Sequence, residues 1–125
     1  MDKKATRADW KLLPEPMSKG WFQFRQHFTP EQAAKLELGV IPQDMKDRWF
    51  IFYEDDWLYF CRSWTGAFIF GLHAVRTVEG MESDRCWFNQ EPGLFNYKSA
   101  EDFRNLLMRI IENLFGVFFR EHPQT

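Results

Sequence analysis

From residue 48 the chain reads as a succession of strands. Arg48-Trp49-Phe50-Ile51-Phe52-Tyr53 is aromatic and β-branched, Glu54-Asp55-Asp56 breaks it, and Trp57-Leu58-Tyr59-Phe60-Cys61-Arg62 repeats the composition. A two-residue loop at Asp55-Asp56 pairs Glu54 with Trp57 and Trp49 with Arg62. A three-residue loop would set Arg48 against Arg62, and the like charges disfavour it. Both loop positions then require positive φ, which aspartate tolerates imperfectly. In this register Phe50, Phe52, Trp57 and Tyr59 share one face, and Trp49, Ile51, Leu58 and Phe60 share the other. Ser63-Trp64-Thr65-Gly66 has the residues of a type I turn followed by a left-handed glycine, which leaves Trp64 at its tip. A third strand follows over 67–78, with Phe68, Phe70 and Leu72 on one face. Glu79-Gly80 turns the chain, Arg85–Asn89 forms a fourth strand, and Glu91-Pro92-Gly93 ends it.

Two segments change to the helical period. Thr29-Pro30-Glu31-Gln32 combines an N-cap, a proline at the first helical position and a capping-box glutamine, so a helix is expected from Pro30 to Leu38, closed by Gly39 and blocked by Pro42. Ser99 caps the last helix, with Glu101 and Asp102 matching its dipole. Phe103, Leu106, Leu107, Ile110, Ile111, Leu114 and Phe118 form its apolar stripe; Arg104, Asn105, Arg109, Glu112 and Asn113 lie opposite. Residues 1–20 are broken by lysines, Pro14, Pro16 and Gly20, and Trp21-Phe22-Gln23-Phe24 is a short extended or helical piece.

The expected architecture is α+β: an antiparallel four-stranded meander packed on a long C-terminal helix, with an N-terminal arm over 1–28 and one domain over 29–125. The expected core is Ile51, Phe60, Phe70, Leu107, Ile110, Ile111 and Leu114. Both faces of the first hairpin are apolar, so the face away from the helix needs a cover. The first 46 residues, with Trp10, Leu12, Leu13, Trp21 and Phe22, are the nearest source of one. The arm is expected to cover part of that face and a weak homodimer some of the rest.

Composition sharpens this picture. The chain has 14 Phe, 6 Trp and 3 Tyr against 4 Val and 5 Ile, so rings fill the core, and any surplus forms a binding face. The formal net charge is −2 and the basic residues are spread along the chain, which argues against nucleic acid as a partner. Cys61 and Cys86 lie in apolar runs and read as buried free thiols of a reducing compartment. No apolar stretch follows Met1-Asp2-Lys3-Lys4-Ala5, and no run is long enough for a membrane span, so the expected location is the cytoplasm, with no membrane partner.

The segment Asp47–Phe60, followed by Arg62-Ser63-Trp64-Thr65-Gly66, resembles a family of small uncharacterised bacterial proteins that share a K/R-W-F-I-Y-Y-E-x-x-W-L-Y-x-x-R-S-W-T-G hairpin. A later W-x-N-R-[DE]-P segment of that family is similar to Trp87–Pro92 here, with Gln90 in place of the arginine, and a Leu- and Ile-rich C-terminal helix follows. The likeness spans about residues 47 to 116 and implies a fold rather than an activity. The Gln90 departure counts against an anion contact at that position.

Little in the sequence points to catalysis. Ser63, Cys61, Cys86, His27, His73 and His122 supply nucleophiles and bases, but no spacing assembles them into a triad. Ser63 fits a turn former and His73 a satisfied sheet histidine. There is no metal-ligand spacing and no glycine-rich phosphate cradle, so no metal or cofactor is expected. The remaining constellation is Arg62, Ser63, Trp64 and Thr65 beside Trp49 and Asn89. A guanidinium, hydroxyls, an amide and flat rings suit an anionic or nucleotide-like ligand. The function expected from these residues is a non-enzymatic module that binds a protein or itself. The alternatives are a small anionic-ligand domain around the Arg62–Gly66 turn and, less favoured, a small hydrolase.

Overall fold

The computed structural model describes residues 3–91 and 99–119. Five strands, β1 (Lys19–Phe28), β2 (Trp49–Glu54), β3 (Trp57–Arg62), β4 (Phe68–Thr77) and β5 (Gly80–Asn89), form one antiparallel sheet in the order β1-β5-β4-β3-β2. Helix α1 runs over Pro30–Leu38 and α2 over Ala100–Phe115, and a 3-10 turn covers Arg7–Asp9. The four consecutive strands make the expected meander, and β1 is the additional one. Residues 19–28, expected as the second half of an arm, are an edge strand that pairs with β5 from Lys19↔Asn89 to Phe28↔Met81. Gln23, Arg25 and His27 are exposed while Phe24 and Phe28 are buried against the helices, and that alternation marks a half-buried strand. Strand β5 also begins earlier than the expected Arg85. Its polar Glu82 and Asp84 lie on exposed positions to either side of the buried Ser83.

The β2–β3 hairpin has the two-residue loop, with Trp49 opposite Arg62 and Glu54 opposite Trp57. Asp55 and Asp56 both take left-handed conformations, φ 50° and 71°. Between β3 and β4 a bulge at Ile69 shifts the register, so that Phe60 pairs with Phe70 but Cys61 with Phe68. This corrects the expectation that Phe68 and Phe70 share a face. Phe68 belongs to the cluster away from the helices, and Ile69 and Phe70 to the helix side.

The larger cluster lies between the sheet and both helices and joins Phe24, Ile51, Phe60, Phe70 and Phe88 to Phe103, Leu107, Met108, Ile110 and Ile111. Helix α1 has the full capping box: Gln32 N–H donates to Thr29 Oγ1 and Thr29 N–H donates to Gln32 Oε1. Asp102 N–H donates to the Ser99 hydroxyl at the start of α2. Leu114 is 43 % exposed rather than buried, Phe118 is exposed, and Asn105 is buried rather than outward. Past the left-handed Gly116 the chain returns. Val117 and Phe119 are buried, and Phe119 packs edge-on against Phe24 and Phe28, supplying the cover expected from Leu114.

The second face is covered in part by residues 5–12, as expected. Ala5, Trp10 and Leu12 pack on Phe50, Phe52, Cys61 and Phe68, with Trp10 stacked on Phe50 at 5.6 Å. Arg7 ion-pairs with Glu54 at 2.9 Å and lies 5.1 Å from the Phe52 ring centroid. Main-chain bonds from Ala5 N–H to Leu38 O and from Leu13 N–H to Gly66 O hold the segment in place. Among the described residues no helix is long and apolar enough to cross a membrane.

Candidate functional site

The Ser63–Gly66 loop between β3 and β4 is held from three sides. Within it, Gly66 N–H donates to Arg62 O and Arg62 N–H to Ala67 O. From the strand side, Ser63 N–H donates to Arg48 O at 2.9 Å and its hydroxyl to Asp47 O at 2.7 Å. From the N-terminal segment, Trp10 Nε1–H donates to Ser63 O and Leu13 N–H to Gly66 O. Gly66 has φ 77°, and a Cβ there would run into the Lys11 carbonyl, so only glycine closes this loop against the N-terminal segment.

Trp64 projects from this fixed base. Its indole Nε1–H donates to Met45 O at 3.0 Å, yet the residue is 69 % exposed. Trp64 divides two clefts. One, of about 230 Å³, is lined by Arg48, Arg62 and Trp64; the other, of about 240 Å³, is lined by Trp10, Pro42, Met45, Ser63 and their neighbours. Leu13 and Met45 are also exposed.

The structure thus brings Arg62, Ser63 and Trp64 together, with Trp49 behind them: the Arg62 guanidinium lies 5.4 Å from the Trp49 ring centroid, as the hairpin register requires. The two hydroxyls serve the backbone instead of a ligand, since Thr65 Oγ1 accepts from Ala67 N–H and Ser63 Oγ donates to Asp47 O. Asn89 is buried at the end of β5, where its Nδ2–H donates to Phe68 O and its Oδ1 accepts from Glu91 N–H. It therefore ties β5 to β4 and is absent from the lining of either cleft. Arg48, Trp10 and Met45 were missed by sequence reasoning. Arg48 was legible from the register, because it precedes Trp49 and so falls next to the loop, whereas Trp10 and Met45 arrive through tertiary packing.

A second group lies on the part of the sheet face that residues 5–12 leave open. Trp57 packs against His73 at 4.8 Å, and Trp21, half exposed, meets Trp57 edge-on at 6.3 Å. His73 Nδ1 lies 2.8 Å from Asp84 Oδ1, and Arg85 donates to Asp84 Oδ2 at 2.6 Å. His73 is therefore the satisfied sheet histidine that its sequence context indicates. Asp84 is the extra residue of a bulge in β5 relative to β4, which places its carboxylate beside Arg85. Partial desolvation pushes that carboxyl up, but the hydrogen bonds and charges of His73 and Arg85 outweigh it and hold it below the usual aspartate range.

The other candidate chemical groups are engaged structurally. Both cysteines are buried free thiols, each pushed upward by desolvation. His27 pairs with Glu82 at 2.8 Å, and His122 lies outside the described residues. Among the described residues no group of three metal-ligating side chains converges. A third cleft, of about 440 Å³ between Gln26, His27 and the 117–119 segment, has Thr29 and Gln32 on its wall, the two side chains that cap α1. Comparison of the chain with protein-family models, with curated proteins and with solved structures gives no match in any of the three.

Proposed function

We propose that the protein is a non-enzymatic binding module that engages a protein partner through the Ser63–Gly66 loop. The carrying observation is Trp64, which stands 69 % exposed on a loop whose backbone and indole N–H are already hydrogen-bonded. A large ring held in one orientation loses little freedom on binding, and tryptophan and arginine dominate the energetic centres of protein interfaces. Arg62, Arg48 and Met45 flank it with residue types such centres use. The test is a photo-crosslinking amino acid placed at position 64 in the cells that make the protein, with Glu31 as control site. A crosslinked protein at position 64 alone supports the reading, and a crosslinked species of twice the chain mass identifies a homodimer. No crosslinked protein at position 64 overturns it.

A second reading draws on the cleft formed by Arg48, Arg62 and Trp64, whose two guanidiniums and one ring suit a small anion with a flat group. Inorganic phosphate, nucleotides and phosphosugars would then raise the melting temperature of the wild type and not of Arg48→Ala.

A further inference from the structure

We infer that the open part of the sheet face, formed by Trp21, Trp57, His73, Asp84 and Arg85, is a binding platform for a neutral, polyhydroxylated ring, that is, a saccharide. This surface is separate from the Trp64 loop: Trp57 begins β3 and the loop follows its end.

Three features select the ligand. The first is shape. Trp21 is 50 % exposed and meets Trp57 with an interplanar angle of 69°, so the two indoles form an apolar corner on the sheet face. A pyranose ring presents a face of C–H groups that packs on an aromatic ring.

The second is a fixed set of hydrogen-bonding groups beside the rings. Asp84 uses one lone pair of each carboxylate oxygen on His73 and Arg85, and its side chain stays 49 % exposed. The remaining lone pairs can accept two neighbouring hydroxyls. The Asp84 carboxylate accepts, so His73 donates to it from Nδ1, and Nε2 is the ring nitrogen left to meet a hydroxyl. The Arg85 guanidinium, 5.5 Å from the Trp57 ring centroid, offers further N–H groups.

The third is charge and size. The Asp84 and Arg85 charges cancel within the cluster, and the nearby Glu54 is paired with Arg7 and Lys19 with Glu15. The cancellation is formal, and the exposed Arg25 lies beside Asp84 and Arg85, on β1. The cluster has five side chains, whereas a stable protein interface uses about 20–30 residues on each side. One or two sugar rings match that footprint, and a second copy of the chain does not.

The test titrates the full-length protein with neutral oligosaccharides, namely hexamers of α-1,4-glucose, β-1,4-glucose, β-1,4-xylose and N-acetylglucosamine, while the Trp indole N–H resonances are followed by NMR. The expected result is a saturable shift of the Trp21 and Trp57 signals with at least one hexamer, at millimolar affinity. Trp21→Ala should weaken binding by roughly tenfold, the size of one ring-stacking contact. Asp84→Asn should weaken it as well, and Trp64→Ala should leave it unchanged. Thermal melting checks that each variant folds, and Trp21→Phe, which keeps a ring, should retain binding if Trp21→Ala does not fold. The inference is overturned if no hexamer moves these signals at about 10 mM, if the shift survives in Trp21→Ala, or if sedimentation shows a Trp21-dependent dimer that sugar does not compete with.

Discussion

Tyr53 is a single side chain whose titration reports on the fold. Its hydroxyl donates to Ala74 O at 2.6 Å, joining β2 to β4 across β3. Desolvation, with the charges of Asp56 and Glu37, raises its pKa to about 12. The folded value therefore lies above the unfolded one, near 10. The contribution is complete below about pH 10 and is lost as the pH rises toward 12. Alkaline denaturation should steepen in that window for the wild type and be flatter for Tyr53→Phe, as measured by unfolding in urea from pH 8 to 12. Gly66 is the other residue that stands alone. At φ 77° against the Lys11 carbonyl it cannot carry a Cβ, so Gly66→Ala should destabilise by more than about 1 kcal/mol in denaturant unfolding. That left-handed glycine was legible in Ser63-Trp64-Thr65-Gly66 because turn chemistry is local. The close packing of the Trp87 indole over Gly71 was not, because two strands must first be brought into register.

At the scale of elements, capping and hairpin signals translated into structure directly. The Thr29–Gln32 box and the Asp55-Asp56 loop depend on neighbours a few residues apart, and both form as their residues dictate. Strand β1 was obscured because Gln26 stands at an inward position between Phe24 and Phe28, which breaks the apolar pattern beside the bulge at Gln23–Gln26. The Ser83 hydroxyl repairs the break by donating to Phe24 O and accepting from Gln26 N–H. No pattern within residues 19–28 announces that repair. Similarly, the Ile69 bulge turns Phe68 away from Phe70 against the period-two expectation. In α2 the stripe was legible as far as Ile111 and failed at Leu114, where the returning Val117 and Phe119 take over the contact. Leu107→Ala should accordingly cost on the order of 2–5 kcal/mol, while Leu114→Ala should cost well under 1 kcal/mol. Equilibrium urea unfolding of the two variants side by side separates them.

At the scale of the molecule, the sheet is packed on both sides, by two helices on one and by residues 5–12 on part of the other. The aromatic surplus is largely absorbed there: Phe50, Phe52 and Phe68 are completely or almost completely buried under Ala5, Arg7 and Trp10. Deleting residues 1–17, which leaves β1 intact, should expose those rings and produce aggregation or larger oligomers in light scattering. A truncated chain that stays monomeric at high concentration would show that the cover contributes little. The two clefts beside Trp64 were half legible in sequence. Arg48 and Arg62 of the one follow from the hairpin register, and Trp10 and Met45 of the other follow from the way the chain crosses over the sheet.

The order of strands in the sheet also sets an order of events in time. Strand β1 is made early but, among the described residues, its strand partner is β5, with Lys19 opposite Asn89. Ribosomes add about 5–20 residues per second, so β1 waits several seconds for that partner. During the wait its Phe22, Phe24 and Phe28 have no sheet to join, while the β2–β3–β4 meander can zip by neighbouring hairpins as it emerges. On this order β1 is expected to dock onto the β5 edge of the meander late, with α2 and Phe119 closing over Phe24 and Phe28 after it. Variants that weaken the β1–β5 seam should accumulate a chain with a formed meander and an unpaired N-terminal strand, visible as fast hydrogen exchange in β1 and β5 beside protected amides in β3.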